Sequence, residues 1–567
     1  MNYHWKIKPD PEQDDFILLQ KELNIHPVIT KLLIQRGIKT YESAKSFFNP
    51  LSQDWHDPYL MADMNKAVFR LESAITLNEK IMVYGDYDVD GTTSVAMMFS
   101  FLLQYTKNII TYIPDRYKEG YGISETGIQL AYKEGCKLII ALDCGIKSID
   151  KVTFAKNLGI DFIICDHHQP GDQIPEAVAV LDPKRKNCNY PFKELSGCGV
   201  GFKLIQAFHQ KQGGQKEELI VYTDLLAVSI SADIVNVTGE NRLFLAQGLK
   251  QLNTWNRHGF RALLEESGGR VNQVYDVEKV VFQLAPRINA AGRIKHGLLA
   301  VNLLNADNLE SARSLAFEVN KLNIQRRAYD ETITEEALKQ LETSKHTSSN
   351  VVFSPKWHKG VIGIAASRLI EKHYKPTVVL TQSGETLAGS ARSVHGFNLY
   401  DALEACSDTL IQFGGHAFAA GMTMKPENLE AFRNRFEKVV SESITTEQRQ
   451  PSLNIDSELD FSEINERFFR TLVRMGPFGP GNMAPVFISM GLNECGIKEV
   501  GRNGDHLRVC LANQHGVVLN GIAFKQGKKA SELRESRVDV AYELQMNEFN
   551  GKSEIQLGVK DIRQSIL

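Results

Sequence analysis

At 567 residues the chain is long enough for three or four domains, and no apolar run approaches the ~20 residues that a bilayer-spanning helix needs. Apolar content of 43% and charged content of 23% are those of a soluble globular protein. The net charge of −3 excludes a general attraction to nucleic acid, so any such contact must use a local basic groove. The start, Met1-Asn2-Tyr3-His4-Trp5-Lys6, is polar and unlike a secretory signal. The eight cysteines include no C-x-x-C pair and several adjoin apolar runs, as expected of free thiols in a reducing cytoplasm.

Residues 1 to 75 read as short helices, with Val28, Ile29, Leu32 and Leu33 at helical spacing after Pro27 and a capping or packing role expected. From 80 to 185 apolar runs at 81–84, 109–113, 138–142, 161–165 and 178–181 alternate with amphipathic stretches, which predicts βαβ units and a parallel sheet. Residues 186 to 300 look mainly helical, and Leu309 to Leu341 is a long polar helix free of Pro and Gly that joins two lobes. A second α/β unit is expected over 349–440, with strands at 351–353 and 377–380, then a polar linker over 441–456. Short segments at 486–488, 507–511, 517–519, 538–540 and 555–557 predict a small β-barrel. The expected division is 1–75, 76–305, 306–345, 346–440 and 455–567.

Four acidic positions follow apolar runs: Asp86-Tyr87-Asp88-Val89-Asp90-Gly91, Asp143, Asp166-His167-His168, and Asp233. The first three fall at the carboxyl ends of predicted strands, where α/β sheets open into their ligand crevice. Carboxylates gathered in one crevice repel one another unless a divalent cation offsets their charge, and Asp with His suits Mn2+ or Mg2+. A pair of ions ~3.5–4 Å apart can activate water and stabilise entering and leaving oxygens, so phosphoryl-transfer chemistry is expected. Asp86, Asp88, Asp143, His167 and Asp233 are the expected ligands, with Asp143 as the bridge. Asp166 and His168 are expected to orient ligands or touch substrate. Thr92 and Thr93 mark an expected helix start whose amides could hold an anion. Alone, Asp233 would be an ordinary helix-end residue.

With Gly85-Asp86-Tyr87-Asp88-Val89-Asp90-Gly91 and Asp166-His167-His168 in this order, the chain resembles the DHH phosphoesterase superfamily, and within it the bacterial single-strand-specific exonucleases. The resemblance extends through Leu142-Asp143-Cys144-Gly145, Ser231-Ala232-Asp233-Ile234-Val235, residues 286–293, residues 357–368, Gly389-Ser390-Ala391-Arg392-Ser393 and Gly414-Gly415-His416. It implies a parallel-sheet DHH domain and a DHH-associated α/β domain joined by a long helix, with a C-terminal OB-fold. It also implies a Mn2+- or Mg2+-dependent exonuclease that digests single-stranded DNA from the 5′ end in repair and recombination. A helicase and a single-strand-binding protein are the implied partners, and a monomer the implied state. Tyr84 stands where some relatives carry a His.

Arg grips phosphate with a bidentate fork and a hydroxyl adds a donor, and the resemblance implies that Ser390 and Arg392 hold the terminal 5′-phosphate or one near it. Arg116, Arg287, Arg293 and His416 are further substrate-binding candidates. Tyr117, Tyr121, Phe397, Phe487, Phe524 and Phe549 are candidates for base stacking. Two other readings use the same motifs: a phosphohydrolase of pyrophosphate, polyphosphate or short oligonucleotides, and a DNA-binding scaffold without activity. The additional N-terminal, helical and barrel segments favour a polymer substrate, and the intact acidic set argues against a scaffold.

Overall fold

A computed structural model describes residues 3–549 and 552–565, with the side chain of Phe549 outside the described set. Its first sheet is five-stranded and wholly parallel, in the spatial order Ile109–Tyr112, Lys80–Gly85, Cys136–Leu142, Asp161–Cys165 and Ala179–Leu181. The three central strands are buried on both faces, which is why they read as unbroken apolar runs. Register decides the chemistry. Gly85 pairs with Leu142, Leu142 with Cys165, and Cys165 with Leu181. The next residue of each strand is therefore Asp86, Asp143, Asp166 and Asp182, set side by side along one edge. The strand order reverses between Lys80–Gly85 and Cys136–Leu142, so Asp86 and Asp143 flank the switch point where doubly wound sheets bind ligands.

The helix Val89–Leu102 is buried on nearly all sides and packs against Gly197–Lys211 and Thr223–Ala232. A buried ion pair locks the second of these helices. Lys203 Nζ donates to Glu240 Oε1 at 2.5 Å, Gln206 Oε1 at 2.8 Å and the His56 carbonyl at 3.1 Å. Removing one partner of such a pair strands the other charge, so Lys203→Met should destabilise the catalytic lobe by about 3–5 kcal/mol. A lower melting temperature in calorimetry, corrected by Glu240→Gln on the same chain, is the expected result.

The helix Leu309–Glu342 begins at Asn308, whose side chain accepts from the Ser311 amide at 2.9 Å, and leads to the second sheet. That sheet runs Gln412–Gly415, Ala419–Met424, Thr386–Arg392, Thr377–Ser383 and Asn350–Phe353, with only the last two strands parallel. At the C-terminus, Phe487–Val500, His506–Ala512, Val518–Ala523, Lys552–Gln564 and Arg537–Phe549 close on themselves into a five-stranded barrel, because the first also pairs with the last.

One feature fills the packing role expected of it, and one departs from the sequence reading. The N-terminal helices share a core with the barrel: Ile29, Leu32 and Leu33 lie with Leu459, Phe461 and Leu472. The expected linker 441–456 is partly ordered structure. Helix Leu429–Ser443 enters it, and Ser452–Ile455 pairs in parallel with His4–Ile7. Its polar composition is satisfied by a strand more than 440 residues away, a partner that local patterning cannot reveal.

Candidate metal and phosphate site

Five carboxylates, from Asp86, Asp88, Asp90, Asp143 and Asp233, and the His167 imidazole converge above the switch point. Strand Lys80–Gly85 delivers Asp86, and Asp88 caps the next helix by accepting from the Gly91 amide at 3.1 Å. Asp143 turns away from its strand with φ = +60°, a conformation held by its amide bond to the Cys165 carbonyl at 2.9 Å. His167 Nε2 lies 3.2 Å from Asp143 Oδ1, 3.6 Å from Asp233 Oδ2 and 3.9 Å from Asp90 Oδ2. Asp143, His167 and His168 form one group with the geometry to hold a cation, and Asp90, His167 and Asp233 form another.

Among the described residues, both Asp86 oxygens, Asp143 Oδ1, Asp233 Oδ2 and both His167 ring nitrogens are buried without a hydrogen-bond partner of ordinary geometry. The Tyr87 and Gly122 amides ease the Asp86 charge from outside those limits. Orphaned atoms of this kind cost stability unless something supplies the missing partner. Burial, then neighbouring carboxylates, pushes Asp86, Asp143 and Asp233 well above the usual carboxylate range. Burial pushes His167 down, which leaves its imidazole neutral and free to ligate. Oxygen donors with a neutral imidazole fit Mn2+ or Mg2+, and the charge of such ions reverses the repulsion.

Asp166 has a different role. Its oxygens accept from the Ile146 amide at 2.8 Å, the His167 amide at 2.7 Å and His168 Nδ1 at 2.7 Å. Burial opposes its ionisation, but His168 and these amides outweigh it and hold Asp166 down to about 2. Burial also opposes the His168 imidazolium, and Asp166 overrides that to raise it. The His168 ring is fixed on its other side by the Tyr121 hydroxyl, 3.0 Å from Nε2.

Asp90 lies in the acidic run but is absent from the ligand set expected from the sequence. It is buried, and its oxygens accept from the Gly197 amide at 2.7 Å, the Cys198 amide at 2.8 Å and the Ser229 hydroxyl at 2.7 Å. It therefore ties three helices to the cluster. The repeat of Asp at 86, 88 and 90 was the available signal. Thr92 and Thr93 do not bind an anion: the helix starts earlier, at Val89, and their hydroxyls bond back to Asp88, Val89 and Asp90 carbonyls. Tyr84 is buried behind the sheet edge. Its hydroxyl donates to the Gly122 carbonyl at 2.9 Å and accepts from the Ser124 amide at 3.0 Å, so it anchors a loop and is no ligand. Gly197 leaves room for the cluster, since a Cβ there would stand 2.6 Å from Asp143 Cβ. Gly197→Ala should weaken Mn2+ binding ~10–100-fold in titration calorimetry with the fold retained.

Beside the cluster, with Tyr87 (between Asp86 and Asp88) in its wall, a cavity of about 530 Å³ opens between the two lobes. Tyr87, Arg116, Tyr117 and Arg293 line it from one side, and Lys359, Gly363, Ser390 and Arg392 from the other. Arg392 Nη1 donates to Ser390 Oγ at 3.2 Å and to the Ala391 carbonyl at 2.8 Å. Gly363, in the first turn of helix Ile362–Ile370, is close enough that a Cβ would stand 2.9 Å from Ser390 Oγ. A helix N-terminus, a hydroxyl and a guanidinium thus converge on one anion-sized space. Arg116 stacks 4.6 Å from the Tyr87 ring centroid. Burial, then Arg116, brings Arg293 down to about 10 while Asp88 supports its charge. Burial and then Arg116 also lower Arg392.

Two substrate candidates are not brought into this cavity. Arg287 donates to Asn320 Oδ1 at 3.0 Å and the Gln283 carbonyl at 2.6 Å, and so braces the long helix. His416 sits exposed on the hairpin beyond Gly415, outside the cavity lining. Among the stacking candidates, Phe397 and Phe487 are core residues, and the Tyr117 hydroxyl is committed to the Arg293 carbonyl. Tyr121 and Phe524 remain exposed, and Phe549 has its side chain outside the described residues.

Residues 80–230 match the model of the DHH family, N-terminal domain, residues 347–442 the DHHA1 domain, and residues 455–561 the RecJ OB domain. The single-stranded-DNA-specific exonuclease RecJ of Bacillus subtilis is 38% identical over 566 residues, covering 98% of this chain and 70% of its own. The protein of the same name from Escherichia coli is 34% identical, with 94% and 96% covered. The crystal structure of RecJ in complex with Mn2+ from Thermus thermophilus superposes with a TM-score of 0.85 at 26% identity, covering 100% of this chain and 80% of that one.

Proposed function

The chain belongs to the RecJ family of single-stranded-DNA-specific exonucleases, and on that premise we propose that it hydrolyses single-stranded DNA from the 5′ end with Mn2+ or Mg2+. The observation that carries this reading is a cluster of orphaned carboxylates and an imidazole beside an arginine-lined cavity whose wall includes Tyr87, between Asp86 and Asp88. Asp86, Asp88, Asp143, His167 and Asp233 hold the ions, joined by Asp90. When bound, two such ions supply the charge that activates water and stabilises the entering and departing oxygens.

The chain's own residues do the rest. Arg392, Ser390 and the helix N-terminus at Gly363 grip the terminal phosphate, and Arg116 and Arg293 take the phosphates between that anchor and the cluster. An anchored end sets how far in the scissile bond lies, which makes the enzyme an exonuclease. Asp166 keeps a proton on His168 Nδ1 and sets positive charge where the phosphodiester's negative charge builds. Tyr121 fixes the direction of that ring. The strand is supplied during repair and recombination by a helicase and a single-strand-binding protein, and the enzyme acts as a monomer in the cytoplasm.

The test uses end-labelled single strands, duplexes and pyrophosphate, each with Mn2+. Loss of single strands from the 5′ end, with duplex and pyrophosphate spared, is the expected result. Pyrophosphate turnover faster than strand turnover would reassign the enzyme to small substrates.

A further inference from the structure

We propose that the C-terminal domain takes part in building the metal site, by clamping the segment that carries Asp233. This rests on the reading of Asp233 as a ligand. Asp233 is unlike the other acidic positions of the cluster, because it neither ends a strand nor opens a helix. It follows the last residue of helix Thr223–Ala232, where the negative end of the helix dipole disfavours a carboxylate. The Asp90 and Asp88 charges repel it as well, opposed by a hydrogen bond between the Asp90 and Asp233 side chains. The next residue, Ile234, is β-branched, 81% exposed and held at φ = +58°, a conformation that persists only when its surroundings impose it. All three features would let Asp233 swing toward solvent.

The restraint comes from residues 476–483, between helix Glu466–Val473 and the barrel. The Val237 amide donates to the Pro480 carbonyl at 2.6 Å, and Val237 is buried. Gly479 lies so close that a Cβ would stand 2.5 Å from Val237 Cγ2. Arg242, itself buried, donates to the carbonyls of Gly476 at 2.7 Å and Pro477 at 3.1 Å. From the barrel side, Arg36 donates through Nε to Asn482 Oδ1 at 2.9 Å, and the Asn482 amide group donates to the Met475 and Pro477 carbonyls at 2.9 Å each. The loop is therefore rigid on its own side and bonded to the Asp233 segment on the other. Gly479, Arg242 and Asn482 are positioning residues that act through Asp233.

The test is a double-mutant cycle on the full chain, read as Mn2+ binding from the paramagnetic resonance signal of the free ion. Binding of a 5′-phosphorylated oligothymidine in chelator is measured beside it. Gly479→Ala should weaken Mn2+ binding ~10-fold, as the loss of an outer partner of a ligand typically does, and leave oligothymidine binding within about twofold. In an Asp233→Asn background the same change should add nothing further. If Gly479→Ala does not fold, Arg36→Gln, which frees Asn482, enters the same cycle. Unchanged Mn2+ binding in a folded variant overturns the clamp, as does an effect that persists additively without the Asp233 carboxylate. If Asp233→Asn alone leaves Mn2+ binding intact, the ligand assignment fails instead.

Discussion

Asp143→Asn should reduce strand hydrolysis by at least ~10³-fold while making the metal-free protein no less stable. The two halves share one cause. Asp143 is fully enclosed, its Oδ1 lacks a hydrogen-bond partner, and burial with Asp90, Asp88 and Asp233 pushes its carboxyl well above the usual range. A carboxyl with a raised folded pKa binds more protons in the native state than in the unfolded one. Metal-free stability should therefore fall as pH rises from ~4 through the raised folded values, and the Asn variant should flatten that slope. With metal the order reverses. Mn2+ at 100 times its dissociation constant should stabilise the parent by ~2.7 kcal/mol, and the variant by much less. Melting curves across pH, with and without Mn2+, check both halves. A variant with parental turnover and full Mn2+ loading would remove Asp143 from the site.

Arg392→Ala should slow digestion of 5′-phosphorylated single strands by about 30–100-fold and barely change digestion of 5′-hydroxyl strands. Charge-assisted hydrogen bonds are worth ~1.5–3 kcal/mol each, and in the proposed role the guanidinium would contribute at least one to the end phosphate. Its position makes the effect specific. Arg392 is held by Ser390 and the Ala391 carbonyl and lies on the second lobe, across the cavity from Tyr87, Arg116 and Arg293 and outside the carboxylate cluster. Mn2+ binding should consequently be unchanged. Arg392→Lys should recover only part of the loss, since a point charge cannot reproduce the planar fork. Initial rates on matched phosphorylated and unphosphorylated strands give the comparison, and an equal loss on both would move the end-phosphate site elsewhere.

Much of this site was legible because its ligands end strands. An apolar run followed by Asp is a local pattern, and a parallel sheet places all such ends on one edge, so Asp86, Asp143 and Asp166-His167-His168 could be read as one crevice. Ser390 and Arg392, proposed from flanking small residues and the family motif, both line the cavity. Arg287 and Arg293 could not be separated in the same way. They share one short helix, Ala285–Ile294, and their six-residue spacing turns one toward the long helix and the other toward the cavity. His416 after two glycines suggested close approach to a phosphate backbone, but the hairpin carries it past the cavity. Phe397 and Phe487 carry no local mark that distinguishes a core ring from a stacking one.

The sequence by itself determined the parallel sheet, the long helix and the acidic strand ends, because each depends on periodicity within a few residues of chain. Only the tertiary structure decided which carboxylates meet. Asp90 enters the cluster because the start of helix Gly197–Lys211 and Ser229, in the last turn of helix Thr223–Ala232, come to it from more than 100 residues away in sequence. Asp233 lies 3.6 Å from His167 because helix Thr223–Ala232 packs against helix Val89–Leu102, which opens beside the same strand end. Those contacts arise from the closing of separate apolar surfaces on one another, and such closure leaves no periodic signature near the residues it brings together.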